Sequence, residues 1–331
     1  MFEQIGDLKQ QAVQSTVEWL CGPHSVEIKR LRQFLAVVDN GSFTIAAASC
    51  HLSQQGLSKS ISTLEQSIGA SLFNRDARGI ALTQCGNLLV PIARNILADV
   101  QNFQRQLDDL TGVHCGRVIV GAGFTSAGYL LPPLVRRIAL KRPELQITII
   151  DGTATELIPK LLAGNLDVAI CIMNLLDNDP FLVQKPILEE RVSIIVGRNH
   201  PLSGHSKVSL SETLKYPWLS WGMPQLHPGI SEMLRKAKLP QPAPKLITTS
   251  ILFGLTLLQD SDYVSSFSEH LVPRELKSGA LVSVEIDDES GQALEIMTSL
   301  CYRKNSSLSR PVLLFIEELE NFVNNLDRNL E

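Results

Sequence analysis

The sequence predicts an α/β protein that begins with a small helical module, continues in a long helix and ends in a domain of two α/β lobes. Short helical patterns separated by turn residues come first, and an apolar stripe then repeats at helical spacing from Leu89 to Leu110. Beyond residue 116, strand-like apolar runs alternate with helical ones, which is the pattern of a parallel sheet covered by helices. The length of 331 residues suits two domains.

Three short helices are expected in the first module. Asn40-Gly41 can end the first of them, whose apolar stripe is Ile28, Leu31, Leu35 and Val38. A second helix, about residues 43–51, is short and alanine-rich, and Ser53 can cap a third directly after it. Two helices joined by so short a turn predict a helix-turn-helix.

The third helix has two chemically different faces. One face is apolar and consists of Leu57, Ile61, Leu64 and Ile68. The other is polar and, with the capping residue, consists of Ser53, Gln54, Gln55, Ser58, Lys59 and Ser62. Glutamine amides can pair with adenine edges, and Ser and Lys can bind bases or phosphates, so this face suits the major groove of DNA. The alternative is an ordinary amphipathic surface helix.

A basic turn follows the third helix. Leu72-Phe73 is an apolar anchor, and Arg75 and Arg78 come next, before an extended return to Thr83. A wing of this kind would hold both arginines near phosphates or the minor groove. Two arginines in a turn are otherwise usually just solvated.

Many short segments of residues 31–83 follow one another in a characteristic order and spacing. They are Leu31-Arg32-Gln33-Phe34, Gly41-Ser42-Phe43-Thr44, Ala46-Ala47, Leu52-Ser53-Gln54, Leu57-Ser58-Lys59, Leu64-Glu65, Leu72-Phe73-Asn74-Arg75 and Leu82-Thr83. In this the chain resembles the winged helix-turn-helix of the LysR-type transcriptional regulators. It departs from that family at Cys50, where Leu is usual, and at Gln55-Gly56, where a helix-favouring pair is common. Gly56 should cost about 1 kcal/mol of helix stability relative to Ala.

Charge is distributed unevenly along the chain. The overall formal charge of -4 would argue against a nucleic-acid partner. Residues 28–83 contain six Lys and Arg but three carboxylates, so this segment is +3 and the remainder is -7. A basic small domain can still attract phosphate, because charges more than about 10 Å away are largely screened at 0.1 M salt.

The cysteines and apolar runs bear on compartment and cofactors. The six cysteines are scattered and have no metal-binding spacing, so reduced thiols are expected, with no metal and no cofactor. A peroxide sensor of the same family is disfavoured, because no cysteine lies between Cys171 and Cys301. The first 25 residues lack the apolar core of a signal peptide, and no run of about 18 apolar residues predicts a membrane helix. A cytoplasmic protein without a membrane partner is expected.

We predict four segments. Residues 1–27 are an N-terminal extension of unknown role or the product of an upstream start codon, and residues 28–83 form the DNA-binding domain. Residues 84–112 form a linker helix about 40 Å long. Its apolar face is too long to be buried on the small domain, so pairing with a second copy is expected, as the resemblance also implies. The alternative is a single helix packed against the large domain.

Residues 116–331 are predicted to be an effector-binding domain of two α/β lobes, and the looser resemblance there implies a fold like that of periplasmic binding proteins. A parallel βαβαβ unit is expected from strands at 117–121, 145–150 and 166–172 and helices at 129–141 and 155–163. The second lobe should contain strands near 192–196, 218–221, 281–286 and 297–303, and a last helix reaching residue 326. The resemblance weakens at residues 259–264.

A ligand of such a domain should lie beyond the carboxyl ends of the strands, in the crevice between the lobes. The loops expected there contribute Thr125, Ser126, Thr153, Met173, Ser220, Trp221 and Ser266. Thr125 and Ser126 stand just before a predicted helix, so hydroxyls and backbone N–H groups would suit an anion such as a carboxylate. Alternatively, these two residues only cap the helix, and Trp221 belongs to the core.

The resemblance implies a sequence-specific transcriptional regulator controlled by a small-molecule effector. Its expected partners are double-stranded promoter DNA carrying an inverted repeat, a second copy in a dimer or tetramer, and RNA polymerase. One alternative is a constitutive DNA-binding repressor with no effector. The other is a two-lobed α/β enzyme, which is disfavoured because no HExxH, GxSxG, GxGxxG or P-loop motif occurs in its required context. No catalytic residue is therefore predicted.

Overall fold

The computed structural model describes residues 26–76, 79–110, 116–173, 179–205, 207–286, 294–304 and 306–327. Two compact units are present, one of residues 1–107 with 162–164 and one of residues 108–161 with 165–331. Residues 1–25 of the expected extension, Arg78 and residues 111–115, which include the end of the predicted linker helix, lie outside the described residues. Among the described helices, none is both long and apolar enough to cross a membrane.

The first unit contains three short helices and a two-stranded sheet, as the sequence predicts. The helices are α1 (Ile28–Asn40), α2 (Phe43–Ser49) and α3 (Gln54–Ile68), and the antiparallel strands are β1 (Phe73–Asp76) and β2 (Gly79–Leu82). Gly41 ends α1 in the left-handed conformation, and the Ser53 hydroxyl caps α3. Phe34, Leu57, Leu64 and Leu72 are fully buried in the core of this unit.

The turn between α2 and α3 is short. His51 has a positive φ of 54°, and the N–H of Leu52 donates to the carbonyl of Ala47 at 2.9 Å. A non-glycine residue at positive φ is uncommon, so the tertiary structure holds this turn in place. The predicted helix-turn-helix is therefore present.

The long helix α4 (Gln84–Leu110) has 27 residues. The sequence analysis placed Leu89 in the apolar stripe expected to face a second copy, but Leu89 packs with Ala93 and Leu97 against the core of the first unit. A second row remains exposed and includes Leu88 at 65% and Phe103 at 60%, together with Ile92, Ile96 and Leu107. The helix therefore has one apolar row packed on the first unit and one apolar row that is exposed.

The second unit is built on one continuous mixed sheet. Its strand order is β4-β3-β5-β11-β6-β9-β7-β8, with β10 paired to β6. The strands are β3 (Arg117–Ala122), β4 (Gln146–Asp151), β5 (Val168–Ile172), β6 (Leu182–Gly197), β7 (Trp218–Trp221), β8 (Leu246–Thr248), β9 (Val264–Ser268), β10 (Leu281–Val284) and β11 (Leu294–Arg303). β3 pairs in parallel with both β4 and β5, which confirms the predicted βαβαβ unit.

Helices cover this sheet. They are α5 (Leu131–Lys141), α6 (Ala154–Leu162), α7 (Leu210–Thr213), α8 (Pro228–Lys236), α9 (Ile251–Gln259), α10 (Pro273–Ser278) and α11 (Arg310–Asp327). A π-helical turn, Ser126–Leu130, leads directly into α5, and a 3-10 turn, Glu269–Leu271, follows β9. The sequence analysis did not predict α7, α8, α10 or β8.

The two lobes are joined by long antiparallel strands. β6 has 16 residues and pairs with β11 over ten of them, from Leu182 opposite Arg303 to Val192 opposite Leu294. The sequence predicted only the last part of β6, near residues 192–196. The full pairing places the wall of a cavity on the strands that connect the lobes.

Candidate functional site

The polar face of α3 is exposed. Gln54, Gln55, Lys59 and Ser62 are exposed together with the capping residue Ser53, whereas Ser58 is half-buried. The opposite face is closed, because Leu57, Ile61 and Leu64 are buried in the domain core. The helix thus presents amides, hydroxyls and an ammonium group on the side away from its domain.

Local contacts fix the orientation of α3. The Ser53 hydroxyl accepts from the N–H of Gly56 at 3.1 Å, and the Ser60 hydroxyl donates to the side chain of Gln33 on α1. The Glu65 carboxylate accepts from the N–H of Leu72 at 2.7 Å, so the end of α3 is tied to the start of the β1–β2 hairpin. This carboxylate is consequently engaged within the domain.

The predicted arginines of the wing are only partly described. Arg75 lies in β1 opposite Ile80, and its side chain is outside the described part, as is the whole of Arg78. Elsewhere in this unit, Arg94 pairs with Asp39 at 2.7 Å and Arg30 pairs with Glu27 at 2.9 Å. Lys59 is therefore the best-placed described cation on the polar face of α3.

A cavity of about 220 Å³ lies between the lobes of the second unit. Five of the seven predicted effector residues line it, namely Thr125, Ser126, Thr153, Trp221 and Ser266. Met173 and Ser220 are outside this lining. The Ser220 hydroxyl donates instead to the carbonyl of Gln225 at 2.7 Å, and Met173 lies within sulfur-contact distance of the Cys171 thiol at 3.9 Å.

Three aromatic rings form one wall of the cavity. Trp221 lies 5.5 Å from Phe267 in an edge-to-face arrangement and 6.5 Å from Phe124, measured between ring centroids. The indole N–H of Trp221 donates to the Ser265 hydroxyl at 2.9 Å, which holds the ring in place. Trp221 is thus both a buried residue and a cavity residue, so the two interpretations of the sequence are compatible.

The helical segment that leads into α5 begins at Phe124, and its first turn lies in the cavity lining. The sequence placed Thr125 and Ser126 before the helix, but the helix already begins at Phe124, and both residues are buried. The first intrahelical bond joins the N–H of Ala127 to the carbonyl of Gly123 at 2.8 Å. The preceding N–H groups have no acceptor within the helix, which keeps them available to an acceptor in the cavity.

Several polar groups of the cavity are already engaged. The Thr153 hydroxyl donates to the Glu156 carboxylate at 3.0 Å, and this carboxylate also accepts from the Thr153 N–H at 2.8 Å. Those hydrogen bonds lower the pKa of Glu156. His227, which also lines the cavity, caps α8 by accepting from the N–H of Gly229 at 3.2 Å. Burial lowers the pKa of His227 to about 4. No Lys or Arg is among the lining residues that the structure describes.

Sequence reasoning missed some lining residues, including His227 and Thr298. His227 precedes Pro228 at the start of α8, which is a helix-start signal that the sequence analysis did not use. Thr298 lies on β11, and its place in the cavity depends on pairing with β6 across more than 100 residues of chain. No local pattern reveals such a pairing.

Comparison with known proteins covers both units. The model of the LysR substrate binding domain matches residues 111–323, and that of the bacterial regulatory helix-turn-helix protein, lysR family, matches residues 28–87. A probable RuBisCO transcriptional regulator from Cyanidioschyzon merolae is 31% identical over 58% of this chain and 64% of that protein. The chain spans about three fifths of the length of the first curated relatives that it matches.

Solved structures show the same fold. The structure of CbnR, a LysR family transcriptional regulator, has a TM-score of 0.56 and 18% identity, and covers 90% of this chain and 99% of its own. An OxyR variant from Corynebacterium glutamicum has a TM-score of 0.53 and 23% identity. The match covers 90% of this chain and 92% of the OxyR chain. With family models that together match most of its length, the chain belongs to the LysR family of bacterial regulatory helix-turn-helix proteins.

Proposed function

We propose that this protein is a DNA-binding transcriptional regulator that acts in the cytoplasm and inserts α3 into the major groove of promoter DNA. The observation that carries the proposal is the division of α3 into a buried apolar face and an exposed face bearing Gln54, Gln55 and Lys59. Glutamine amides can read adenine, and Lys59 with Ser53, Ser58 and Ser62 can bind phosphates or bases. Arg75 and Arg78 of the wing would add phosphate or minor-groove contacts.

A second copy of the chain belongs to this proposal. The exposed row of α4, which includes Leu88, Ile92 and Phe103, is an apolar surface of the kind that helices bury against one another. A symmetric dimer would place two α3 helices on an inverted repeat. A tetramer would double this arrangement, and RNA polymerase would be contacted from the assembled complex.

The cavity of the second unit supports control by a small-molecule effector. An aromatic wall and a few converging polar groups are typical of ligand sites. The hydroxyls of Thr125, Ser126, Thr153 and Ser266 and the ring of Trp221 are the proposed contacts. Such control requires that the effector binds one arrangement of the assembly more tightly than another. A constitutive repressor would leave the cavity without a role.

The salt dependence of DNA binding tests the proposal at Lys59. Each lysine that neutralises a phosphate contributes about 0.9 to the slope of log K against log salt concentration. We expect Lys59→Ala to weaken binding to a random-sequence duplex and to reduce this slope by about 0.9 per bound protomer, measured by fluorescence anisotropy.

The matched control is Lys29→Ala, which removes the same charge from an exposed position on α1. We expect its salt slope to equal that of the wild type. A Lys59→Ala slope that also equals the wild-type value would remove Lys59 from the DNA interface and contradict the role proposed for this face of α3.

A further inference from the structure

His227 lines the cavity with one ring nitrogen engaged and the other without a partner. Nδ1 accepts from the N–H of Gly229, which caps α8, whereas Nε2 has no hydrogen-bond partner among the described residues. Four side-chain atoms of the described residues are enclosed without a partner, and Nε2 of His227 is not one of them. Since this nitrogen is neither bonded nor enclosed, it is open to the cavity that its ring lines.

The hydrogen bond at Nδ1 determines which nitrogen of His227 carries the proton. A ring nitrogen that accepts a hydrogen bond has no hydrogen of its own, so the neutral imidazole is protonated at Nε2. Burial lowers the pKa of His227 to about 4, which keeps the ring neutral at pH 7. Nε2 is therefore an uncharged N–H donor whose orientation is fixed by the cap at the opposite edge of the ring. A donor in such a place requires an acceptor.

The charges around the cavity favour an uncharged acceptor over a carboxylate. The described lining contains no Lys or Arg, and Glu295 is the one carboxylate within it. A carboxylate that left water for this cavity would meet no cationic side chain in that lining, which makes its transfer costly. A carbonyl oxygen loses less hydration on entry and can accept the proton of Nε2. The acceptor that this cavity suits best is therefore neutral.

We propose that the Nε2–H group of His227 selects the effector, an uncharged single-ring aromatic compound whose carbonyl oxygen accepts from it. The ring of this compound lies against Phe124, Trp221 and Phe267, which line the same cavity. A cavity of about 150 Å³ can hold benzene, and this one, at about 220 Å³, has room for a single ring with a short side chain. The inference rests on the proposed function, since it names the chemical class of the effector. It replaces the anion that the sequence predicts with a neutral acceptor.

Two substitutions of His227 separate the donor from the helix cap. Asparagine places its amide oxygen near the position of Nδ1 and has no atom at Nε2, so His227→Asn retains the cap and loses the donor. Glutamine is one methylene longer and places its amide N–H near the position of Nε2, so His227→Gln retains a donor and loses the cap. We expect the thermal midpoint without ligand to be lower in His227→Gln than in His227→Asn, because only the glutamine variant lacks the cap.

Three probes with the same ring test the subsite on the full chain by titration calorimetry. Acetophenone has a carbonyl oxygen, ethylbenzene has no acceptor, and benzoate has a charged one, which the N–H groups at Phe124 would also suit. We expect the wild type to bind acetophenone more tightly than benzoate. Relative to ethylbenzene, acetophenone should bind about five- to tenfold more weakly in His227→Asn than in the wild type, which is the effect of one lost hydrogen bond. In His227→Gln this ratio should stay near the wild-type value.

An unchanged acetophenone-to-ethylbenzene ratio in folded His227→Asn would show that His227 only caps α8 and would overturn the subsite. Tighter binding of benzoate than of acetophenone by the wild type, or no binding of acetophenone up to its solubility limit, would overturn it as well. If His227→Asn does not fold, His227→Gln decides, since a wild-type ratio supports the donor and a five- to tenfold loss contradicts it. These failures concern the ligand alone and leave the salt slope of DNA binding at Lys59 unaffected, so they are distinct from failure of the proposed function.

Discussion

Single side chains in the cavity have environments that make the protein sensitive to pH. Burial lowers the pKa of His227 to about 4, from an ordinary value near 6.5. The folded protein therefore keeps this imidazole neutral at pH values where the unfolded chain binds a proton. The contribution of neutral His227 to the free energy of unfolding is fully present above about pH 6.5 and is lost as the pH falls toward 4.

We expect the free energy of unfolding to decrease by about 3 kcal/mol through His227 between pH 7 and pH 4. Asparagine can also cap a helix, so His227→Asn should preserve the start of α8 without this titration. Urea unfolding at several pH values should show a difference between the wild type and the variant that changes by about 3 kcal/mol over this range. Parallel stability curves would contradict the assignment, since all other groups titrate in both proteins.

Some residues of the site were predictable from local sequence patterns, and others depend on the pairing of distant strands. Trp221 is the last residue of β7 and Ser266 lies within β9, and both were predicted from local patterns in the sequence. Thr298 lies on β11, and only the pairing of β11 with β6 brings it to the cavity.

At the scale of elements, α9 and the ring of Trp221 pack together through a glycine. A Cβ atom at Gly254 would lie 2.4 Å from Cη2 and 2.6 Å from Cζ3 of Trp221, closer than real Cβ contacts allow. The ring could not remain where it is, and it lines the cavity. The glycine therefore shapes the site although it lies on the helix behind the ring.

Gly254→Ala should destabilise the protein by about 1–3 kcal/mol, the usual effect of overpacking, although alanine normally favours a helix by about 1 kcal/mol. Urea denaturation measures this change. Gly204→Ala is the control, because a Cβ atom there would meet nothing within 4 Å and the change should be close to neutral. A Gly254→Ala variant more stable than the wild type would contradict the packing described.

Elements with local signals were predicted well. The apolar stripe and the Ser53 cap define α3, and β7 begins and ends where the sequence indicates, because spacing and capping involve neighbouring residues. β6 was predicted only in part, since most of its 16 residues are stabilised by pairing with β9, β10 and β11. Leu89 of α4 was likewise assigned to the wrong surface, because its packing on the first unit depends on tertiary contacts.

At the scale of the molecule, the order of a small helical unit, a long helix and a two-lobed α/β unit was predictable from periodicity and composition. The continuity of the sheet across both lobes was not, because it depends on β6 and β11, which lie far apart in sequence. The chemistry of the cavity was predicted in its hydroxyl groups and in Trp221. The contribution of β11, through Ile296 and Thr298, was found only from the structure.

The central claim is that the chain reads DNA through paired α3 helices, and selection of binding sites from a random-sequence duplex library by the full chain tests it most directly. We expect enrichment of an interrupted inverted repeat whose half-sites are centred about 10 base pairs, or a multiple of this, apart. Sequences indistinguishable from the starting library after repeated rounds of selection would contradict the account.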